Sequence, residues 1–348
     1  MSRVRNIFNR ISTNIICLFK TKFPLGKKVY LIGTPEYSNL GDSAIAIAEM
    51  NFLFQCGYKK SCIKEITQSE FNEKAGYFCR FISKRSLICG IGGGNFGNLW
   101  YNEELFRYSL IEAFPDNPII IFPQTVFFTD DESGENAIIK SKVHYNGHRN
   151  LTLVAREKQS LSLLKTLYSK AEILLSPDIV LSSTIEDYGV TFCRRFGVLL
   201  VFRNDLEQSM SNEDRKNIKS YLDSKLISFR QTDMHADVPV TKENRIELVR
   251  NKMQEFANAR LVITDRLHGM IFAAITGTPC IVFGNNHYKV LGSYEWISYL
   301  PYIEFVDDVN NAFAAFERLY TTNAYYNNER VLEGFTELKS LVESKRHR

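Results

Sequence analysis

Short apolar runs rich in β-branched residues alternate with amphipathic stretches along this chain, and that alternation constrains its fold more than any other feature. Runs at 28–33, 86–91, 118–122, 151–155 and 172–176 have the length and composition of buried strands. Stretches at 42–55, 101–113, 135–144 and 157–168 place their apolar residues at helical spacing. Such strands separated by helices read as βαβ units, hence as a parallel sheet covered on both faces. A polar link near 183–194 interrupts the rhythm, which then restarts. The second set predicts strands at 197–202, 226–230, 260–264, 279–283 and 302–306, with helices near 212–223, 243–257, 266–276, 287–298 and 309–320. A last amphipathic helix is expected near 327–344. The 348 residues suit two such units, because single cores seldom grow past about 250–300 residues. The expected organisation is a leader over 1–26, a Rossmann-like domain over 27–190, a second over 191–325, and a C-terminal helix with a basic tail over 326–348.

Charge divides the chain differently. Forty-three Lys and Arg against 39 Asp and Glu give a net charge of +4. Residues 1–35 alone carry +7 and no acid, so the body from Glu36 onward is slightly acidic, at −3. No window reaches the roughly 18 apolar residues of a membrane span. On a helix, Val4, Ile7, Phe8, Ile11, Ile15, Leu18 and Phe19 fall near one face with basic residues beside them. Such a leader either lies on an anionic membrane surface, through residues 1–22, or packs its apolar face on its own protein. The seven cysteines are odd in number and lack a C-x-x-C pair. They read as reduced core residues of a cytoplasmic protein. No metal site and no nucleic-acid partner are expected. His144 and His148 have i,i+4 spacing but no third ligand nearby, and read as surface histidines.

In open α/β sheets ligands bind beyond the carboxyl ends of strands, so the loops there carry the functional information. The first strand runs into Asn39-Leu40-Gly41-Asp42, where Asp42 either caps the next helix or faces a substrate. Residues 92–97 match G-x-G-x-x-G, but not in the first βα turn, and the nearest acid, Asp116, precedes the next strand. The segment Gly92-Gly93-Gly94-Asn95 therefore reads as backbone N–H groups able to cradle an anion or admit a sugar, or as a close-packed turn. Gln124, Arg156 and Asp178 follow three further strands, each fitting a structural cap or a ligand contact. In the second half, Arg203 ends one strand, and Thr264-Asp265-Arg266-Leu267-His268-Gly269 joins another to an apolar helix. A helix N-terminus flanked by Arg266 and His268 suits a phosphate or carboxylate. The loop from Gly284 through Asn285 to Lys289 offers more donors.

Taken in order, Asn39–Asp42, Gly92–Gly97, Ser176-Pro177-Asp178, Thr264–Gly269, Pro279 and the Asn285–Lys289 loop resemble the polysaccharide pyruvyl transferase family over roughly residues 27–300. The resemblance implies a glycosyltransferase-B-like fold, two doubly wound halves facing a cleft. It implies transfer of the pyruvyl group of phosphoenolpyruvate to a sugar of a polysaccharide repeat or its lipid-linked precursor, usually as a cyclic ketal, with no other cofactor. Carried over by motif, Arg266, Arg203, His268, Gly269, Asn285 and Lys289 would bind the donor. Asn39, Gly41, Asp42, Gly93, Gly94, Asn95, Gln124 and Arg156 would face the acceptor. His268 as acid or phosphate donor and Asp42 as base would carry the chemistry. The chain has His287-Tyr288-Lys289 where the family often has a Tyr-Gly-Lys type of sequence. The setting implied is cytoplasmic, peripheral to the inner face of the membrane. A glycosyltransferase using a nucleotide-sugar would share the fold and the arginines, although no Glu placed to grip a ribose stands out after the donor helix. A non-catalytic sugar-binding protein at the membrane surface is the other alternative.

Overall fold

The computed structural model describes residues 28–192, 194–204, 208, 210–284 and 288–347. The leader over 1–26 and the donor candidate Asn285 lie outside the described residues.

The first half is a seven-stranded parallel sheet. Its strands are β1 Val29–Thr34, β2 Ile63–Thr67, β3 Leu87–Gly90, β4 Gly93–Gly97, β5 Ile119–Phe127, β6 Leu151–Ala155 and β7 Glu172–Leu175, in the order β2-β1-β3-β5-β6-β7, with β4 paired to β5. Between them run α1 Leu40–Gln55, α2 Gln68–Phe81, α3 Tyr101–Ala113, α4 Glu132–Gly147 and α5 Lys158–Leu167. After a short helix α6, Ile185–Tyr188, the second half forms a five-stranded parallel sheet. It comprises β8 Val198–Val201, β9 Phe229–Thr232, β10 Leu261–Thr264, β11 Cys280–Phe283 and β12 Ile303–Val306, ordered β12-β11-β10-β8-β9. Its helices are α7 Asn212–Ser224, α8 Arg245–Ala257, α9 Leu267–Ile275, α10 Lys289–Ile297 and α11 Val309–Leu319. The chain closes with α12 Glu329–Glu333 and α13 Thr336–His347. This is the expected pair of doubly wound units in a glycosyltransferase-B-like arrangement.

Several elements depart from the sequence-based expectation, each for a local reason. Strand β2 and helix α2 were not expected. Strand β2, at the sheet edge, carries a half-buried Lys64 and a Glu65 that receives Thr34 and Arg245, and so lacks an apolar run. Helix α2 is amphipathic, and its start is fixed by a capping box in which Thr67 and Glu70 exchange hydrogen bonds. Strand β4 is three-fifths glycine and owes its conformation to β5, which at nine residues outruns β3 and pairs its far end with β4. Strand β5 continues through Pro123 because the ladder to β6 skips register between Ile121 and Gln124. The terminal helix, expected to be continuous, breaks at Gly334, where a Cβ would meet Trp296 and Pro177 at 2.7 and 2.8 Å. His148 is buried rather than on the surface. Its Nδ1 accepts the Asn150 N–H at 3.1 Å and its Nε2 lies 3.0 Å from the Phe114 carbonyl oxygen.

The two halves share a core. One apolar cluster runs from Leu31, Phe52 and Phe122 through Met253, Phe272 and Val282 to Phe335 and Val342 of the terminal segment. Polar contacts close the seam. The Leu40 N–H donates to the Met234 carbonyl and the Ala236 N–H to the Ser38 carbonyl, each at 2.8 Å. Arg245 pairs with Glu65 at 2.5 Å and Lys242 pairs with Glu70. The loop after β9 is thereby stitched to the loop after β1, so the cleft between the halves has a fixed width on that side. Among the described residues no helix is long and apolar enough to cross a membrane.

Candidate active site

In each sheet the second strand lies outside the first and the third returns to the first strand's other side. The order therefore reverses between β1 and β3, and again between β8 and β10. Loops leaving such paired strands diverge and leave a crevice. Here the crevices face each other and merge into one cavity of about 390 Å³. Nine of the expected site residues line it: Asn39, Asp42, Gly94, Asn95, Arg156, Arg203, Arg266, His268 and Lys289.

Four others do not line the cavity. Gly41 lies under the His268 ring, where a Cβ would stand 2.3 Å from Nδ1. Gly269 lies against Thr264, where a Cβ would fall 2.3 Å from Oγ1. Gly93 adopts φ +150, which glycine reaches without strain. Gln124, expected on the acceptor side, is buried and donates from Nε2 to the Ile91 carbonyl at 2.7 Å, tying β5 to the glycine loop. All four shape the site from behind.

Helix α1 settles the ambiguity at Asp42. The cap is Asn39, whose Oδ1 accepts the Gly41 N–H at 2.9 Å and the Asp42 N–H at 3.4 Å. The Asp42 carboxylate is thus left to the cavity, with the Tyr37 hydroxyl beside it. Burial raises its pKa to about 6, against the opposing pull of Tyr37, Arg156 and Lys289.

Facing it, α9 carries His268 in its first turn. The ring is 12% exposed, and burial lowers its pKa to about 4, helped by Arg156, Lys289 and Arg203 and opposed by Asp178. His268 is therefore neutral at neutral pH. Its Nε2 has no hydrogen-bond partner among the described residues and lies 3.7 Å from Asp178 Oδ2.

Buried or half-buried partners hold the cations. Arg156 donates to Asp178 Oδ2 at 2.7 Å and to Thr125 Oγ1 at 2.6 Å. Arg266 Nε lies 2.6 Å from Asp233 Oδ1. Asp265 accepts the Arg203 N–H at 2.8 Å while its other oxygen stands 3.3 Å from Arg215. Thr264 accepts the Arg266 N–H at 3.0 Å and donates to the Val201 carbonyl at 2.8 Å. The Thr-Asp-Arg-Leu-His-Gly stretch thus divides its labour. Thr264, Asp265 and Gly269 fix the loop, while Arg266 and His268 face the cavity. On the other wall, Arg107 holds Asn95 through both its side chain, at 2.8 Å, and its carbonyl, at 2.6 Å.

Sequence reasoning did not select Tyr37, Trp100, Glu103, Met234 or His235, which also line the cavity, nor Asp233, which braces Arg266; Asp178, read from the sequence as a cap or a ligand contact, braces Arg156. Asp178 had its signal in the position after β7. Residues 233–235 had none, since strand β9 was expected to end at Arg230 and runs to Thr232.

The contact between Gly41 and His268 yields a direct expectation. Gly41→Ala must displace the ring, and kcat/KM should fall about a hundredfold, with a stability loss of roughly 1–3 kcal/mol. Steady-state assays and urea unfolding of the purified variant check it; unchanged turnover would show that the ring position does not matter.

Two doubly wound units enclosing a cationic cavity at paired switch points define a two-domain, glycosyltransferase-B-like α/β protein. The polysaccharide pyruvyl transferase family matches residues 39–287, and the chain belongs to that family. It is 35% identical over 284 residues to general stress protein 30 of Bacillus subtilis, spanning 81% of each chain. It is 30% identical over 297 residues to pyruvyl transferase 1 of Schizosaccharomyces pombe, spanning 81% of this chain and 72% of the other. An uncharacterized protein of Klebsiella pneumoniae shares the fold, with a TM-score of 0.58 at 16% identity over 80% of this chain and 93% of its own.

Proposed function

We propose that this transferase moves the pyruvyl group of phosphoenolpyruvate onto two hydroxyls of a sugar in a polysaccharide repeat or its lipid-linked precursor, forming a cyclic ketal. The observation that carries this reading is the cluster of Arg156, Arg203, Arg266 and Lys289 around one cavity beside the α9 N-terminus. A small trianion with a phosphate at one end and a carboxylate at the other matches that charge.

The stoichiometry fits the residues. Two hydroxyl protons leave the sugar. One ends on the donor's methylene carbon, which becomes a methyl group, and the other on the departing phosphate. Three negative charges enter on the donor; one leaves on the ketal carboxylate and two on hydrogen phosphate. Asp42, ionised at neutral pH, would take the acceptor's proton. Neutral His268 would donate a hydrogen bond to the phosphate, and would become a stronger base as the trianion settles beside it. The arginines would stabilise the leaving phosphate. For a lipid-linked acceptor, the basic residues within 1–22 would be attracted to anionic headgroups.

Two results should follow. Because the Asp42 pKa is raised to about 6, its ionised fraction falls below that pH. Then kcat/KM should drop about tenfold per pH unit below 6 and level off above. The same shift favours the protonated form in the folded protein, so its stabilising effect, present below the unfolded carboxyl pKa of about 4, is lost as pH rises through 6. Asp42→Asn should therefore be inactive yet melt higher than wild type at pH 7 and no higher at pH 4. Second, a thermal-shift screen should show stabilisation by phosphoenolpyruvate, by about 2.7 kcal/mol at 100 times its Kd. Stabilisation by nucleotide-sugars alone would overturn the donor assignment.

A further inference from the structure

We infer that Tyr37, Trp100 and Glu103 form a platform for a pyranose ring on the N-terminal wall of the cleft, an acceptor subsite that depends on the pyruvyl-transfer reading above. Tyr37 and Trp100 are each 41% exposed, and both line the cavity. Each ring is large and amphipathic, and its exposed part faces the cavity, where a ligand can cover it.

The surroundings define the ligand. Glu103, one turn along from Trp100, is steadied by Gln68 Nε2 at 3.4 Å from each carboxylate oxygen. The Glu103 N–H donates to the Trp100 carbonyl at 2.9 Å, which fixes the start of α3. The Tyr37 hydroxyl stands beside Asp42 on the same wall. This wall therefore offers aromatic faces and two carboxylates, while Arg203 and Arg266 of the C-terminal half supply cations. A pyranose presents an apolar C–H face and a rim of hydroxyl donors, which suit rings and carboxylates. An anion is repelled by Glu103 and Asp42 and drawn to the arginines. Charge thus separates the two substrates within the cavity: the acceptor ring sits by Glu103 at the aromatic end, and the anion is drawn toward Arg203 and Arg266 and toward Arg156, which the N-terminal half contributes next to Asp178. Asp42, reached by Tyr37 from one side and by the field of Arg156 and Lys289 from the other, stands at the seam where the acceptor hydroxyl must meet the donor.

The test uses the full-length protein with methyl pyranosides of glucose, galactose and mannose as probes. Wild-type protein should transfer NMR saturation to the ring C–H protons of at least one of them. Trp100→Ala should lower affinity for that probe at least tenfold, and Trp100→Phe should restore most of it. The thermal shift with phosphoenolpyruvate should be the same in all three proteins, which also shows that the variants are folded. No transfer in wild type, or equal transfer in Trp100→Ala, overturns the platform. Absence of the phosphoenolpyruvate shift in wild type would overturn the donor reading instead, and leaves the pyranoside result to decide the platform.

Discussion

Replacing His268 with alanine is expected to lower kcat/KM roughly a thousandfold, the scale of a lost proton-transfer or phosphate-binding group, while the protein stays folded. The ring is buried against Gly41 at the start of α9, and its Nε2 makes no hydrogen bond among the described residues. A buried polar atom without a partner costs about 1–3 kcal/mol. Removing it offsets much of the packing lost with the ring, so the midpoint of unfolding should move little. Acidification provides a second signature. The His268 pKa is depressed to about 4, so the stability it contributes is present above its ordinary pKa of about 6.5 and is lost as pH falls through 4. The alanine variant should lose that part of the acid sensitivity. Near-normal turnover would remove His268 from the chemistry.

Asp178→Ala should have the largest effect on stability. Its Oδ2 receives Arg156 at 2.7 Å, its Oδ1 accepts the Val180 N–H at 3.0 Å, and the side chain is almost wholly buried. Breaking a buried pair from one side leaves an uncompensated charge, which costs about 3–5 kcal/mol. Glu157 Oε2, 3.6 Å from Arg156 Nε, keeps a partial counter-charge, so the loss should fall near 3 kcal/mol. Asp178→Asn keeps an oxygen for the Val180 N–H and should recover part of it. Activity should fall in both variants, because Arg156 and His268 both face that carboxylate. Equal stability of wild type and Asp178→Ala in urea would mean that Arg156 finds another anchor.

The elements legible in the sequence were those with a strong apolar signal of their own. Strands β1, β3 and β10 lie in sheet interiors, and their short runs of buried residues admit few other readings. What escaped was structure imposed by neighbours. Glu65 is accommodated in β2 by the partners Thr34 and Arg245, and the glycines of β4 become a strand because β5 extends beside them. The site divides in the same way. Asp42, Arg203, Arg266 and His268 were visible because they follow strands that periodicity locates. Asp233 and His235 were not, since they reach the cavity through the pairing of their loop with Ser38–Leu40, nearly two hundred residues away in sequence. Trp100 carried only its residue type as a signal. Its meaning comes from exposure at the cavity mouth, which only the folded chain defines.

The central claim is tested most directly by incubating the protein with phosphoenolpyruvate and a set of free and lipid-linked sugar acceptors, then analysing the products by mass spectrometry. The account predicts an acceptor heavier by one pyruvate less one water, with one inorganic phosphate released per product. It predicts that this product is lost in Arg266→Ala and forms about a thousandfold more slowly in His268→Ala. Consumption of a nucleotide-sugar, with phosphoenolpyruvate left intact across the whole acceptor set, would contradict it.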